Sequence, residues 1–548
     1  MPGAFKDVKE TVTASYSCAF FHPIAKNWNL LPFGNIEARD GFLSAGVSRC
    51  SQCVFSFEVF MFESARLPQN MDKKTFKKLE PQLREALLAS QLPVVEKQPF
   101  STMILVDGLD GAGKGEAVAR LYGWMDARHL VCNAYGELMD EARLRPPLWR
   151  YWRDLPPKGE TAIVFGSWYQ TVLRDWIYKK IDEDAFDKAL TRIRRFEEML
   201  ANEDVLILKF WFYLPKKEQE ERLKRIEKKH AARHVLADWA ALKHHKKASE
   251  AGEKIILETS KGYAPWFVIP SQDPEYRDAA LAQTVANAMK LKLEDGEPHS
   301  IAAPPVVGGL KRETAVDTID LTEKLEKSEY EELRDKYQKQ LSDLSDMKSL
   351  SKTGVVLVFQ GNDAAGKGGA IRRVIRPLDP RIYKVHPISA PTDEEKARPY
   401  LWRFWRRVPA KGHFAIFDRS WYERVLVERV EGYAGHDDWL RAYNEINEFE
   451  QELTDFGYIV CKFWLAISED EQLRRFKARE DTAYKQHKIT DDDWRNRLKW
   501  DQYAIAAGDM IDRTSTHYAP WTLVSSEDKR HARIKVLKTI CDRLEEKL

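Results

Sequence analysis

The sequence carries one set of motifs twice in the same order. The segments at 108–115, 149–153, 167–169 and 209–211 recur at 361–368, 402–406, 420–422 and 462–464, always 253 residues later. Two further pairs, 238–239 with 493–494 and 264–266 with 519–521, are 255 residues apart, so a two-residue insertion or deletion distinguishes the repeats between Trp211 and Asp238. Six motifs in one register predict a tandem duplication of a domain of about 250 residues.

This register divides the chain into four segments. We expect an N-terminal repeat at 61–296, a Pro- and Gly-containing linker at 297–315 and a C-terminal repeat at 316–548. Residues 1–60 have no counterpart before the second repeat, and we interpret them as a disordered extension or a mis-called start, with Met61 as the biological start. Cys50 and Cys53 form a lone pair without further zinc ligands nearby, so no metal site is predicted there.

Composition excludes several classes of protein. Hydrophobic residues make up 43% of the chain and charged residues 31%, which is an ordinary balance for a soluble globular protein. The formal net charge of +2 excludes a global nucleic-acid binder, so any site for a polyanion must be local. The longest apolar run, 205–214, is too short for a membrane span and predicts a buried strand. We therefore expect a cytoplasmic protein without membrane or nucleic-acid partners.

The order of apolar runs and helix-prone segments predicts the fold. In the C-terminal repeat an apolar run at 355–359 is followed by a Gly-rich loop and by a helix beginning at Gly369. Further apolar runs at 414–417 and 458–465 predict two more strands. Strands that alternate with helices, with a phosphate loop after the first strand, indicate a doubly wound α/β sheet in each repeat.

The Gly-rich loop fits a phosphate-binding pattern. Gly361, Gly366 and Lys367 have the phosphate-loop spacing, in which backbone N–H groups and a lysine hold phosphate oxygens. The remaining loop positions with a predicted phosphate-binding role are Asn362, Ala364, Ala365 and Gly368, and Arg372 and Arg373 follow on the helix. Gly368 replaces the Ser or Thr that usually binds Mg²⁺, so the metal must be held by other groups.

Two carboxylates are the candidate metal ligands. Asp363 lies inside the loop, and Asp418 ends the predicted strand at 414–417. Because the ends of neighbouring strands meet at one sheet edge, these oxygen ligands suit Mg²⁺. A helix cap or an ion pair with Arg419 is the alternative interpretation of Asp418.

Basic residues are dense after the loop. A polyanion channel is predicted from the cluster Arg398, Arg403, Arg406, Arg407, Lys411, Arg419, Arg424 and Arg429. A mobile lid, or alternatively a solvated helix face, is predicted from Arg474, Arg475, Lys477, Arg479, Lys485 and Lys488. Arg513 precedes the last strand and is expected to reach the site. The interleaved aromatics Trp402, Trp405, Trp421 and Tyr422 either stack a base or, more commonly for this spacing, belong to the core.

The N-terminal repeat keeps Asp110 and Lys114 but loses other site residues. Phe165 and Gly166 stand at the positions of Asp418 and Arg419, Ala119 replaces Arg372, and Glu258 replaces Arg513. Loss of a metal ligand and three arginines predicts an N-terminal repeat that is catalytically impaired, although phosphate binding there stays open. Activity of both repeats with different ligands is the alternative.

The motifs at 361–369, 402–406, 417–422, 462–465 and 512–516 together resemble polyphosphate kinase family 2, and the tandem arrangement resembles its two-domain class. This resemblance covers about 61–548 and implies two thymidylate-kinase-like P-loop domains with lids. It implies inorganic polyphosphate as phosphoryl donor, Mg²⁺ as cofactor, AMP as acceptor and ADP as product. Functional positions carried over from the family pattern are Asp363, Lys367, Asp418, Arg419, Arg424 and Glu428.

Three alternatives follow from the residues. ATP could replace polyphosphate as donor, because a phosphate loop does not select its polyanion. Another nucleotide such as GMP or ADP could be the acceptor. The N-terminal repeat could act without catalysis, as a polyphosphate-binding or assembly module, and the sequence leaves a homo-oligomer open.

Overall fold

A computed structural model describes residues 70–136, 140–229, 244–294, 315–481 and 491–548. The expectations for 1–60, for most of the 297–315 linker, for Asp238 and Trp239, and for Lys485 and Lys488 lie outside these residues.

The N-terminal repeat alternates strands and helices from α1 to α9. Its elements are α1 (Lys73–Lys97), β1 (Ser101–Gly108), α2 (Lys114–Trp124), β2 (Leu130–Ala134), α3 (Asp140–Arg143), α4 (Trp149–Arg153), β3 (Thr161–Phe165), α5 (Trp168–Ile177), α6 (Glu183–Asn202), β4 (Val205–Tyr213), α7 (Lys216–Lys229), α8 (His245–Thr259), β5 (Trp266–Pro270) and α9 (Pro274–Glu294).

The C-terminal repeat follows the same plan. Its elements are α10 (Lys327–Ser345), β6 (Val355–Gly361), α11 (Lys367–Ile375), β7 (Tyr383–Pro387), α12 (Asp393–Lys396), α13 (Trp402–Trp405), β8 (Phe414–Asp418), α14 (Val427–Val430), α15 (His436–Asp455), β9 (Ile459–Ala466), α16 (Glu469–Glu480), α17 (Asp491–Leu498), α18 (Trp500–Thr514), β10 (Trp521–Ser525) and α19 (Lys529–Glu545).

Each repeat has a five-stranded parallel sheet with the same strand order. The orders are β2-β3-β1-β4-β5 and β7-β8-β6-β9-β10, so the strand that leads into the Gly-rich loop is central in both sheets. β6 pairs in parallel with β8 and β9, and Phe359 lies opposite both Asp418 and Phe463. The predicted doubly wound α/β class is thereby confirmed for both repeats. Parallel strands place their carboxyl ends at one edge, which is where such folds form their sites.

Helices cover both faces of each sheet. In the C-terminal repeat, α10, α11 and α19 pack on one face, with Leu341, Val374 and Val536 fully buried against strand residues such as Leu357 and Phe463. The other face contributes to a hydrophobic core that is shared by the two repeats. The central strands are apolar on both sides because both faces are covered.

The two repeats pack through a pseudo-twofold interface. Trp152 stacks on its counterpart Trp405 with ring centroids 5.7 Å apart, and Arg195 forms an ion pair with its own counterpart Glu448 at 3.5 Å. The backbone N–H of Lys158 donates to Ala397, and the equivalent N–H of Lys411 donates to Leu144. These reciprocal contacts are those of an isologous dimer, formed here within one chain.

Among the described residues, no helix combines the length and the apolar character that crossing a bilayer requires.

Candidate active site

A cavity of about 1370 Å³ opens at the carboxyl edge of the C-terminal sheet. Its floor is the loop between β6 and α11, and one side is the segment from Asp418 to Glu428 that follows β8. Helices α16, α17 and α19 contribute further lining residues. The cavity thus lies where a doubly wound sheet is expected to bind its ligand.

The loop has the geometry of an anion cradle. Gly366 precedes α11 with a φ of 106°, a left-handed conformation that glycine adopts without strain. The Lys367 ammonium donates to the carbonyls of Gly361 and Asn362 at 2.7 and 3.2 Å. Behind the loop, the buried Arg475 guanidinium donates to the carbonyls of Ala364 and Ala365, so the loop is braced from its rear.

The carboxylate of Asp363 is held among cations. It accepts from Arg419 at 3.3 Å and from the side-chain amide of Asn496 at 3.0 Å. Burial raises the pKa of Asp363, but the charges of Lys367 and Arg419 and the Asn496 bond outweigh it, so the pKa lies below its ordinary value. Burial lowers the pKa of Lys367, and the charge of Asp363 acts in the opposite direction. Asp363 is therefore ionised at neutral pH.

Arg419 has a backbone conformation that an arginine rarely adopts. Its φ is 64°, and the counterpart in the N-terminal repeat is Gly166 with a φ of 81°. A non-glycine residue in this region costs about 1–2 kcal/mol, and such residues cluster at functional sites. The C-terminal repeat retains the strain together with a guanidinium that faces the cavity.

Asp363 and Asp418 both line the cavity, as their predicted role as metal ligands requires. Within the described ranges, no three His, Cys, Asp or Glu side chains converge in a way that could hold a metal alone. This donor set fits Mg²⁺ rather than a structural metal, because Mg²⁺ commonly uses one or two carboxylates and takes its other ligands from phosphates and water.

One wall of the cavity is strongly positive. We call it the basic wall, and it consists of Arg372, Arg474, Arg475, Arg479, Lys529 and Arg533. Burial and the neighbouring charges of Arg475, Arg474 and Arg533 lower the pKa of Lys529 to about 8, although Glu471 acts in the opposite direction. The lowered pKa thus has burial as its first cause and the surrounding arginines as its second.

The opposite wall lies against the N-terminal repeat and mixes charges with an aromatic ring. We call it the inter-repeat wall, and it consists of Glu203, Tyr400, Arg424 and Glu428. Arg424 forms an ion pair with Glu428 at 2.9 Å and lies over the Tyr400 ring at 4.4 Å. The Tyr400 hydroxyl is buried without a hydrogen-bond partner.

Most of the site residues predicted from the sequence lie around this cavity. Those that line it are Asp363, Ala364, Ala365, Gly366, Lys367, Gly368, Arg372, Asp418, Arg419, Arg424 and Glu428. Gly361 and Asn362 line a smaller cavity of about 60 Å³ beside the loop, which also contacts Asp363 and Lys367.

Two predicted site residues do not line either cavity. Arg373 follows Arg372 on α11, and the turn of about 100° between neighbours directs it towards Tyr330 of α10. Arg513 lies over the ring of Tyr443 at 5.0 Å on the exposed face of α18. It faces away because the next residue, Thr514, occupies the buried face of that helix.

The tryptophans belong to the core, and the sequence analysis missed several lining residues. Trp402, Trp405, Trp421 and Tyr422 are all at most 2% exposed, which agrees with the core interpretation. The missed residues Glu203, Tyr400, Glu423, Asn496, Lys529 and Arg533 come from distant parts of the chain. For the five that belong to the C-terminal repeat, the counterparts in the N-terminal repeat differ, and a comparison of the repeats beyond the motifs would have identified them. Glu203 itself belongs to the N-terminal repeat.

An arginine packs directly against the equivalent loop of the N-terminal repeat. Lys114 donates to Gly108 at 2.8 Å, as Lys367 does to Gly361. However, a Cβ built on Gly113 would overlap the guanidinium of Arg277, which is buried and forms an ion pair with Glu116 at 3.1 Å. The C-terminal counterparts of Arg277 and Glu116 are Ala532 and Gly369, and both of these line the large cavity.

Comparisons with known proteins agree with this duplicated architecture. A family model described as polyphosphate kinase 2 matches residues 70–296 and again residues 324–548. A polyphosphate:AMP phosphotransferase from Pseudomonas aeruginosa is 48% identical over 492 residues, which span 88% of this chain and 99% of the relative. A protein of the same name from Acinetobacter johnsonii is 39% identical over 451 residues, which span 81% of this chain and 91% of the relative.

A solved structure extends the agreement to three dimensions. The crystal structure of a polyphosphate kinase 2 from Pseudomonas aeruginosa superposes with a TM-score of 0.80 at 46% identity, over 89% of this chain and 99% of the other. Both repeats match the family model, and the relatives align over nearly their whole length. The chain therefore belongs to the polyphosphate kinase 2 family.

Proposed function

We propose that this protein transfers the terminal phosphoryl group of inorganic polyphosphate to AMP, giving ADP, in the cavity of the C-terminal repeat. The observation that carries the proposal is the placement of Asp363, Lys367 and Arg419 together on the cavity floor, next to the basic wall. The names of the relatives that align over most of this chain supply the donor and the acceptor.

The charge distribution supports a different side of the cavity for each substrate. Polyphosphate is a polyanion, so it is expected along the basic wall, where the excess positive charge can neutralise several phosphates. The charges of the inter-repeat wall are paired, Arg424 with Glu428 and Glu203 with Arg441, so this wall offers less positive charge to a long polyanion than the basic wall does. Its carboxylates, its phenol and Arg424 suit the neutral hydroxyls and the single phosphate of a nucleoside monophosphate.

The chemical step needs positioning and charge stabilisation more than proton transfer. An oxygen of the AMP phosphate, already ionised at neutral pH, attacks the terminal phosphorus of the donor. A new P–O bond forms, the bond to the bridging oxygen breaks, and the shortened polyphosphate leaves with that oxygen. Lys367 and Arg419 face the cavity and are placed to neutralise the oxygens of the transferring group.

Mg²⁺ would be held by Asp363 and Asp418 together with phosphate oxygens, and it would supply charge neutralisation during transfer. The N-terminal repeat lacks both Asp418 and Arg419 equivalents, and Arg277, paired with Glu116, packs against Gly113 of its loop. We therefore infer that the N-terminal loop neither catalyses transfer nor binds phosphate.

The test is ADP formation from AMP with purified full-length protein, Mg²⁺ and polyphosphate. ATP replaces polyphosphate in a parallel reaction, and GMP and ADP replace AMP in two others. Lys367→Ala is expected to reduce turnover at least a thousandfold, while the matched variant Lys114→Ala keeps wild-type turnover. Turnover with ATP alone would overturn the donor assignment, and loss of activity only in Lys114→Ala would overturn the assignment to the C-terminal repeat.

A further inference from the structure

One residue of the cavity wall comes from the N-terminal repeat. Glu203 directly follows α6, and its side chain reaches the inter-repeat wall of the C-terminal cavity, where it is 14% exposed. No motif of the sequence includes Glu203. A carboxylate that crosses from one repeat into the site of the other needs an explanation beyond the family pattern.

The first contact of Glu203 is with α15. Its Oε1 accepts from Nη2 of Arg441 at 2.7 Å. The same guanidinium donates from Nε to Glu445 at 3.1 Å and from Nη1 to Asp438. All three arms of the Arg441 guanidinium are therefore engaged, which fixes its position and anchors the Glu203 carboxylate in turn.

The second influence of Glu203 is on Arg424. Burial lowers the pKa of Arg424, and the charges of Glu203, Glu428, Tyr400 and Asp438 together raise it above its ordinary value. Glu203 and Arg424 both line the inter-repeat wall, where Arg424 forms its direct ion pair with Glu428. A guanidinium that is only 15% exposed needs such compensation to stay in the wall.

We propose that Glu203 is a positioning residue for the C-terminal site: anchored by Arg441, its carboxylate balances the charge of the wall in which Arg424 pairs with Glu428 over Tyr400, and this wall receives AMP. The N-terminal repeat then completes the acceptor side of the C-terminal cavity, although Arg277 packs against its own Gly-rich loop. The inference rests on the proposed function, because it needs the C-terminal cavity to be the site of transfer.

An ordinary interface ion pair is the competing explanation, and the chain offers a matched control for it. Arg192 of α6 forms an ion pair with Asp455 of α15 at 3.2 Å, across the same interface and outside the cavity lining. Asp455→Asn removes one inter-repeat charge pair, as Glu203→Gln does. If Glu203 only joins the repeats, the two variants should behave alike.

The experiment measures KM for AMP, KM for polyphosphate and kcat in full-length protein. Glu203→Gln is expected to raise KM for AMP about tenfold with little change in KM for polyphosphate. A change of about tenfold is the size expected when one charge-assisted contact is lost. Asp455→Asn keeps the wild-type values. Glu203→Asp, which retains the charge with a shorter reach, restores part of the loss.

A double-mutant cycle with Arg424→Gln separates positioning from general destabilisation. If Glu203 acts through Arg424, the double variant has the same KM for AMP as Arg424→Gln alone. If the increases in KM for AMP of the two single variants multiply in the double variant, the proposal is overturned. A Glu203→Gln variant with a wild-type KM for AMP would overturn it as well. If Glu203→Gln does not fold, Arg441→Gln removes the same hydrogen bond from the side of the C-terminal repeat and replaces Glu203→Gln in the cycle.

The outcomes also distinguish this inference from the proposed function. Lys367→Ala tests whether the C-terminal cavity performs the transfer. If that variant is inactive and Glu203→Gln is unaffected, only the positioning role fails. If Lys367→Ala retains activity, the proposed function itself fails.

Discussion

At the scale of single residues, the site concentrates charges that burial disfavours. Lys529 begins α19 within the basic wall, and its pKa is lowered to about 8 by burial and by the charges of Arg475, Arg474 and Arg533. The ammonium is therefore protonated below about pH 8 and loses its charge above it. A bound polyanion would favour the protonated form, so the affinity for polyphosphate should depend on this group.

We expect Lys529→Met to raise KM for polyphosphate about tenfold at pH 7 and to leave KM for AMP unchanged, because one charged contact to the donor is lost. In the wild type, KM for polyphosphate should rise as pH increases from 7 to 9, and the variant should lack most of that rise. Steady-state kinetics over this range check both points. An equal rise in both proteins would exclude Lys529 as the titrating group.

The residue scale also shows what the sequence could predict. The positions of Asp363, Lys367 and Asp418 follow from motif spacing and the strand–loop–helix order, and the structure places all three at the cavity. Arg373 and Arg513 were expected there from sequence proximity, but helix geometry directs them elsewhere. Glu203 could not be predicted, because only the packing of the two repeats brings it to the site.

At the scale of elements, each repeat joins two helices to the strand next to its central strand through a buried ion pair. Lys462 of β9 contacts Glu450 of α15 at 2.7 Å and donates to the carbonyl of Thr514 at the end of α18, and both charged side chains are fully buried. Lys209 and Glu197 repeat the arrangement at 2.6 Å. The Lys-Phe-Trp motif was predicted as a strand, but its lysine turns out to be a structural anchor.

Removing one partner of such a pair leaves a buried charge without compensation. We expect Lys462→Met and Lys209→Met each to lower the free energy of unfolding by about 3–5 kcal/mol. Lys339→Met, which removes a lysine from an exposed ion pair with Asp343 on α10, should change it by less than about 0.5 kcal/mol. Denaturant unfolding followed by far-UV circular dichroism measures the free energy of unfolding of the three variants. If all three lose the same amount, burial does not determine the contribution of these ion pairs.

The strands were more predictable than the helix ends. The apolar run at 355–359 lies within β6, and 414–417 lies within β8, because strands buried on both faces must be apolar throughout. Helix α11 begins at Lys367, two residues before the predicted start at Gly369, because the loop glycine Gly366 already serves as its N-cap. Glycines at a helix start give no clear signal of where the helix begins.

At the scale of the whole molecule, the pseudo-twofold interface buries acidic side chains of α15. Burial raises the pKa of Glu448 and of Glu452 to about 7, although Arg195 and Arg192 of the N-terminal repeat act in the opposite direction. Both values lie above the ordinary 4.5, so the folded protein binds more protons than the unfolded chain between about pH 4.5 and 7. The stability that these two groups contribute is complete below pH 4.5 and is lost as pH rises to 7.

We therefore expect the interface to weaken as pH rises from 5 to 8. The midpoint of thermal unfolding should fall over this range, and Glu448→Gln combined with Glu452→Gln should flatten the slope, because the neutral amides have no charge to bury. Asp437→Asn, at an exposed position on the same helix, is the matched control and should keep the wild-type slope. A midpoint that rises with pH, or a slope unchanged in the double Gln variant, would show that these carboxyls are ionised within the interface. The arginines of the N-terminal repeat would then compensate them fully, and the two repeats would be joined by charge pairs rather than by protonated acids.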